Sequence, residues 1–131
     1  MAMSMLKCPE NICFRDFVMP KSLNGNGTLF GGEMMSFLDK AGAMLAVSKT
    51  QGRIVLASMK EINFKAPVQL GEMLTVYGAI EKVGRTSLTV RLEAWKTNRE
   101  NGDTLAADAV AVYVSIDDNY KPKKLTLTDN I

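Results

Sequence analysis

One glycine-rich turn and one carboxylate are the residues of this chain whose types and spacing point to chemistry. The turn is dense in Asn and Gly over residues 24–27, and it leads through Gly31 and Gly32 into a predicted helix that carries Asp39 two turns later. The free N–H groups of a helix N-terminus bind anions, and a carboxylate can act as a base or as a nucleophile. The pattern therefore predicts a site that stabilises an oxyanion beside an activated water.

The helix that carries Asp39 is predicted from Met34 to about Thr50, because apolar residues recur there at helical spacing. The predicted core stripe is Met34, Phe37, Leu38, Ala41, Met44, Leu45 and Ser48. The helical neighbours of Asp39 are Met35, Gly42, Ala43 and Ala46. This face is mostly small and apolar, so we expect another element to contact it closely. A solvated position at the margin of the face is the alternative, but a half-buried carboxylate is costly and tends to be retained where it is used.

Composition limits the classes of function. The chain has 131 residues, which is one domain by default, and we place its core at about residues 10–117. A net charge of +2 and 23% charged residues predict no nucleic-acid partner, and the lysines at 121–124 are interpreted as a solvated tail. No apolar run is long enough to predict a membrane span. Without an export signal, Cys8 and Cys13 are expected to be reduced thiols in the cytoplasm.

The chain contains no histidine, which is the strongest negative fact in its composition. Ser-His-Asp and Cys-His catalysis and His-based metal sites are therefore excluded, and two cysteines are too few for a four-ligand zinc site. We predict no metal and no separate cofactor. Acid–base chemistry must then fall to carboxylates, Lys, Tyr or backbone donors.

The elements that must position these residues are one helix and several long strands. Period-two alternation predicts strands over residues 12–19, 53–64, 74–80, 88–95 and 105–116. In residues 53–64 the residues expected on one side are Ile54, Leu56, Ile62 and Phe64. This order predicts an α+β fold with an antiparallel sheet packed on one helix. We expect a second protomer to cover the Asp39 face, and the long edge strands to pair between protomers.

Short motifs in the same order as the predicted elements run along nearly the whole chain. They are Met19-Pro20, residues 24–27, Phe30-Gly31-Gly32 with Met35 and Asp39, residues 52–55, Asn63-Phe64 with Pro67-Val68, Gly71-Glu72, residues 82–87 and residues 93–95. In these motifs the chain resembles the hotdog-fold acyl-CoA thioesterases, in particular the small bacterial YciA-like acyl-CoA hydrolases. The spacing from Phe-Gly-Gly to Asp, together with Gly-Arg-Thr-Ser, is the most specific part of the resemblance.

The resemblance implies a hotdog fold, in which a curved antiparallel sheet wraps around one long central helix. It implies hydrolysis of acyl-CoA at a dimer interface, in a dimer or a trimer of dimers. Asp39 matches the catalytic helix aspartate, as base or as nucleophile, and Gly32 matches the region that supplies the oxyanion-binding N–H. Residues 84–87, which are Gly84, Arg85, Thr86 and Ser87, match a loop that meets the nucleotide end of coenzyme A.

Other positions are less specific. Relatives usually carry Asp or Asn where this chain has Thr28, so Asn24 or Asn26 is the alternative source of a second polar group from the partner side. Asn63, Phe64 and Lys65 are candidates for contact with coenzyme A. The structural alternatives are a ligand-free turn for Gly31 and Gly32, an ordinary surface residue for Arg85, and plain sheet for Asn63 and Phe64.

Three other functions are alternatives to acyl-CoA hydrolysis. Hotdog dehydratases usually depend on a His, which this chain lacks. A non-catalytic acyl-CoA-binding sensor is the main alternative, although few residues remain for a second domain that would transmit the signal. A purely structural oligomer leaves Asp39 unexplained.

Overall fold

A computed structural model describes residues 6–128, so the outermost residues of the predicted 1–131 domain lie outside the described part. The helix α1 spans Gly31–Lys49. The strands are β1 Ile12–Phe17, β2 Thr50–Gln51, β3 Arg53–Phe64, β4 Met73–Val83, β5 Ser87–Asn98, β6 Gly102–Ile116 and β7 Thr126–Leu127. Five of them form one antiparallel sheet in the order β1-β4-β5-β6-β3, and β2 pairs with β7. The predicted α+β class is confirmed.

The core lies between α1 and the middle strands of the sheet. The alternation predicted for β5 is confirmed, since its fully buried residues are Leu88, Val90, Leu92 and Ala94. From the helix, Leu38 and Ala41 are fully buried against them. The predicted core stripe is wrong in the last turns of α1, where Met44 is 50% exposed. Met44 and Ser48 line an open groove of about 530 Å³ beside β1, so no strand covers them there.

The one-sided alternation predicted for β3 is also wrong. Its pairing with β6 shifts register twice, between Leu56 and Ser58 and between Lys60 and Asn63, and each shift changes the phase of the alternation. Glu61 takes a positive φ of 53° at the second shift. As a result Phe64 is 57% exposed, whereas Met59 packs against the core.

The chain after Asp117 belongs to the fold, although the sequence suggested a core ending there and a solvated tail. Leu125 is buried, and its N–H donates to the carbonyl oxygen of Arg85 at 2.8 Å. The N–H of Lys123 donates to the carbonyl oxygen of Ser115 at 2.9 Å, and β7 then pairs with β2. The tail therefore joins the end of α1 to one end of the sheet.

Candidate active site

Asp39 lies partly buried near the middle of α1, and its carboxylate has one donor among the described residues. The hydroxyl of Tyr113, on β6, lies 3.1 Å from Asp39 Oδ1 and 3.0 Å from the Asp39 main-chain oxygen. Burial, and then the charge of Asp39, raises the pKa of the Tyr113 phenol, so the hydroxyl stays protonated and donates. One carboxylate oxygen, Oδ2, has no donor in the part of the chain that the structure describes.

Gly42 makes this contact possible. A Cβ atom at Gly42 would overlap the Tyr113 hydroxyl and would lie 3.0 Å from the ring atom Cζ. A glycine in a helix interior lowers the stability of the helix by about 1 kcal/mol relative to alanine. The small helix face around Asp39 was predicted to contact another element, and that prediction is confirmed. The element is β6 of the same chain. Met35, on the same face, is 40% exposed, and its cover by a second protomer stays a prediction.

The N-terminus of α1 offers unpaired backbone donors. The first hydrogen bond within the helix runs from the N–H of Met34 to the oxygen of Phe30, and no side chain caps the helix. The N–H groups of Gly31, Gly32 and Glu33 precede that bond and have no acceptor among the described residues. They can therefore stabilise a developing negative charge, as the glycine-rich start of the helix predicted.

A cavity of about 330 Å³ lies at this end of the helix. Its lining includes Gly31, Met34, Phe64 and Lys65. The ring of Phe64 lies 3.9 Å from the position that a Cβ of Gly31 would take. The structure thus brings two of the predicted coenzyme A contacts, Phe64 and Lys65, to the helix N-terminus. Asn63 is next to them but is already engaged, since its amide donates to Asp108 Oδ1 at 2.8 Å.

Asn24 and Thr28 organise the loop before the helix. Asn24 Oδ1 accepts the N–H groups of Asn26 at 2.8 Å and Thr28 at 3.2 Å. The amide of Asn24 donates to Thr28 Oγ1 at 3.0 Å. These bonds close an Asx-type turn, which fixes the approach to Gly31. In the described part of the chain, neither side chain is hydrogen-bonded to Asp39.

The turn Gly84–Ser87 lies at the opposite end of the sheet from Phe64. Phe64 pairs with Ala107 of β6, whereas Ser87 pairs with Val114. Seven residues of strand separate these positions, or about 23 Å at the usual rise. The predicted contacts for coenzyme A therefore form two groups in one chain. Tyr113 is next to Val114 in β6, so its contact with Asp39 lies toward the Gly84–Ser87 end. Arg85 is exposed, and its carbonyl holds the tail through Leu125.

Tyr113 is the functional residue that sequence reasoning missed. In the sequence it is one apolar position in a predicted strand. Its contact with Asp39 joins residues 74 positions apart, and only the register of β6 against its neighbours creates it. The available signal was Gly42, because a glycine inside a helix predicts a close approach by another group.

Within residues 6–128, no cluster of three or more Cys, Asp or Glu side chains could hold a metal ion.

Comparison with known proteins identifies the family of this chain. The model of the thioesterase superfamily matches residues 26–102, a span that begins before α1 and includes Asp39 and the turn Gly84–Ser87. The chain belongs to the thioesterase superfamily. The match confirms the predicted resemblance and, together with the structural neighbours below, the hotdog fold.

Relatives of this superfamily member are similar over most of their length. The acyl-CoA thioester hydrolase YciA of Salmonella typhimurium is 33% identical over 118 residues, which cover 87% of this chain and 89% of that protein. The hexameric thioesterase of Yersinia pestis is 34% identical with a TM-score of 0.83, covering 88% of this chain and 95% of that one.

A third relative is known with its ligand. The acyl-CoA hydrolase of Staphylococcus aureus, solved with butyryl coenzyme A and coenzyme A, is 28% identical with a TM-score of 0.80 and covers 90% of this chain and 73% of that one. Structures are also known for two mutants of that hydrolase, in which an aspartate or an asparagine is replaced by alanine. The two replaced residues are 15 positions apart. Asn24 and Asp39 are also 15 residues apart.

Among residues 6–128 of the present chain, no helix is long and apolar enough to cross a membrane.

Proposed function

We propose that this protein hydrolyses the thioester of acyl-CoA to a free acid and coenzyme A. The observation that carries the proposal is the half-buried carboxylate of Asp39, which has one hydroxyl donor and one free oxygen, on the same helix as uncapped N–H groups. In a thioesterase-superfamily chain, this pair supplies an activated nucleophile and an oxyanion site. The named relatives support acyl-CoA as the substrate class.

Gly32 and Asp39 would divide the chemistry between them. The N–H of Gly32 would stabilise the oxyanion that forms on the thioester carbonyl. Asp39 would either take a proton from the attacking water or attack the carbonyl itself through an anhydride. Seven residues of helix place the two residues about 10 Å apart along the axis, and the N–H of Gly32 points away from Asp39. One thioester carbonyl cannot reach both within one protomer, so the two groups would come from different protomers of a dimer. A thiolate leaves with little acid assistance, since thiol pKa values lie near 8.5, so the chain needs no histidine for this step.

Asn24 and Thr28 would complete the polar side of the site. The shared 15-residue spacing to the aspartate supports Asn24 in this role. Its carbonyl oxygen already accepts two N–H groups of its own loop and one amide hydrogen is donated to Thr28 Oγ1, which leaves the other amide hydrogen for the substrate. Thr28 would act by fixing the Asn24 amide, to which it is hydrogen-bonded.

Coenzyme A would contact two groups of residues, one at each end of the sheet. Phe64 and Lys65, with Asn63 next to them, lie beside the helix N-terminus, and the turn Gly84–Ser87 lies about 23 Å away along β6. We propose that self-association, as a dimer or a trimer of dimers, brings such groups from different protomers to one substrate. The hexameric state of the Yersinia relative supports this assembly, and light scattering of the purified protein tests it.

The test of the function is thiol release from a panel of acyl-CoA thioesters of increasing chain length. Asp39→Asn keeps the size of the side chain and removes its charge, so kcat should fall by about 100-fold or more, as is usual for loss of a general base. Asp118→Asn, in the exposed tail, is the matched control and should hydrolyse at the parental rate.

Two outcomes would overturn the proposal. Binding of acyl-CoA by the parent protein without thiol release would favour the acyl-CoA-binding sensor. A folded Asp39→Asn variant with near-parental kcat would show that the helix carboxylate is structural.

A further inference from the structure

The Tyr113 hydroxyl is placed by the rigid part of the molecule. Tyr113 is 2% exposed and lies in β6, where its register partners are Leu56 of β3 and Leu88 of β5. Strands on both sides therefore fix its backbone, and the core surrounds its ring. A group held in this way can impose its geometry on a neighbour that lies at the protein surface.

Asp39 is such a neighbour, since it is only partly buried. A carboxylate with no partner would populate several rotamers. The hydroxyl of Tyr113 lies within hydrogen-bond distance of Oδ1 and of the main-chain oxygen of Asp39, so its single hydrogen is shared between them and holds Oδ1 close to the helix backbone. Oδ2 is then the oxygen left to hold water or to attack.

We propose that Tyr113 is a positioning residue for Asp39, which holds the carboxylate in one orientation through its hydroxyl, and that Gly42 is the opening through which the hydroxyl reaches it. The inference rests on the proposed function and adds a specific role to two residues that take no part in the chemistry themselves. Tyr113 does not act as a base, because burial and the nearby charge of Asp39 raise the pKa of its phenol.

The first test is Tyr113→Phe, which keeps the ring and removes only the hydroxyl. We expect kcat for acyl-CoA to fall about 10-fold, the usual scale for a hydrogen bond to a charged group, and KM to stay within about twofold. Tyr77→Phe is the matched control, because it removes the hydroxyl of another buried tyrosine that has no contact with Asp39, and its kcat should be parental.

A double-mutant cycle distinguishes action through Asp39 from action on the substrate. In the Asp39→Asn background, Tyr113→Phe should cause no further loss of kcat, because the group that it positions has already lost its function. A loss of about 10-fold in both backgrounds would show that Tyr113 acts independently of Asp39 and would overturn the proposal.

Gly42→Ala tests the opening from the other side. Its Cβ would overlap the Tyr113 hydroxyl, so we expect kcat to fall at least as far as in Tyr113→Phe. Removing the hydroxyl relieves the closest overlap and leaves the ring atoms Cε2 and Cζ 3.0 Å from the new Cβ. The double variant Gly42→Ala/Tyr113→Phe should therefore recover toward the kcat of Tyr113→Phe alone and not exceed it. A Gly42→Ala variant with parental kcat would contradict the proposal.

The outcomes separate this inference from the proposed function. If the parent hydrolyses acyl-CoA and Asp39→Asn is inactive while Tyr113→Phe is fully active, only the positioning role is wrong. If Tyr113→Phe fails to fold or assemble, as judged by thermal melting and light scattering, the hydroxyl is structural and the positioning role is also wrong. If the parent releases no thiol, the proposed function itself fails.

Discussion

Glu72 and Asp39 are carboxylates withdrawn from solvent to different degrees, and their surroundings differ. Glu72, in the turn before β4, is 7% exposed and is surrounded by donors. Its Oε1 accepts the N–H of Gln69 at 2.7 Å and lies 3.6 Å from Lys96 Nζ, while its Oε2 accepts the amide of Asn98 at 3.2 Å. Among residues 6–128, the Tyr113 hydroxyl is the only donor to the Asp39 carboxylate. The more buried carboxylate is the better satisfied one.

The difference indicates how structural and functional carboxylates can be told apart. A buried charge contributes to stability only when its hydrogen-bonding capacity is filled, and a filled carboxylate has nothing left to offer a substrate. Glu72 closes a turn, whereas Asp39 keeps one oxygen unpaired. The uncapped N–H groups of Gly31 and Gly32 share this property, so unused polar capacity marks both groups to which the chemistry is assigned.

The largest expected effect concerns the N–H of Gly32. Gly32→Pro removes this donor, and proline is tolerated in the first turn of a helix, so kcat should fall by about 100- to 1000-fold. Gly32→Ala is the matched control, since it also adds a Cβ but keeps the N–H. Either Cβ would displace the ring of Phe30, which is 55% exposed and free to move. Equal kcat values for the two variants would remove Gly32 from the oxyanion site.

The next effect tests the comparison directly. Glu72→Gln should lower the free energy of unfolding by about 1–3 kcal/mol, because an amide cannot accept from all the donors that now face the carboxylate. Its kcat per folded protein should be unchanged. Asp39→Asn should show the opposite pattern. Its kcat should fall, whereas its free energy of unfolding, measured with denaturant, should stay close to that of the parent. If Asp39→Asn proves the less stable of the two, the distinction drawn here between the carboxylates is wrong.

A smaller effect is expected at Arg85, which should contact the carrier and not the reacting carbonyl. Arg85→Ala should raise KM for acyl-CoA up to about fivefold, the range of an exposed ion pair, and leave kcat unchanged. Arg99→Ala, exposed in the hairpin between β5 and β6, is the control. A thioester of pantetheine alone should be insensitive to Arg85→Ala. Equal losses on both substrates would indicate that Arg85 acts through folding.

The smallest effect concerns a third carboxylate, which has partners but is exposed. The Thr97 hydroxyl, and then the ammonium of Lys7 at 3.0 Å, lowers the pKa of Asp103. A lowered folded-state pKa stabilises the protein above the unfolded value of about 3.9, and this contribution is lost as pH falls through the folded value. Asp103→Asn should cost less than about 1 kcal/mol at pH 7. The difference from the parent should shrink as pH is lowered below the unfolded value and the carboxyl becomes protonated, as measured by chemical denaturation.

The sequence was most informative where local rules decide the outcome. The start of α1 was predicted to within three residues, at Met34 against Gly31, and the alternation of β5 was predicted correctly, because a helix start and a half-buried strand have local signatures. The alternation of β3 was not, since two register shifts against β6 change its phase and no residue type announces them. The tail was interpreted as solvated because its docking through Leu125 depends on a distant turn.

The candidate site also has a part that local sequence predicts and a part that depends on tertiary contacts. Asp39 and Gly32 lie on one helix, so their relation can be derived from helical geometry alone. The donor to Asp39 lies 74 residues further along the chain, and the two groups of predicted coenzyme A contacts are separated by the length of a strand. These relations depend on tertiary register, which a single sequence does not specify.

The strand order also has a consequence for how the site is completed during folding. Strands β4, β5 and β6 form a meander of consecutive hairpins, whereas β3 precedes them in the chain and pairs with β6. Hairpins between consecutive strands close small loops, and the pairing of β3 closes a much longer one. We therefore expect amides of β4 and β5 to gain protection first in pulse-labelled refolding. Asp39 is translated early but acquires its hydroxyl donor only once β6 is in place.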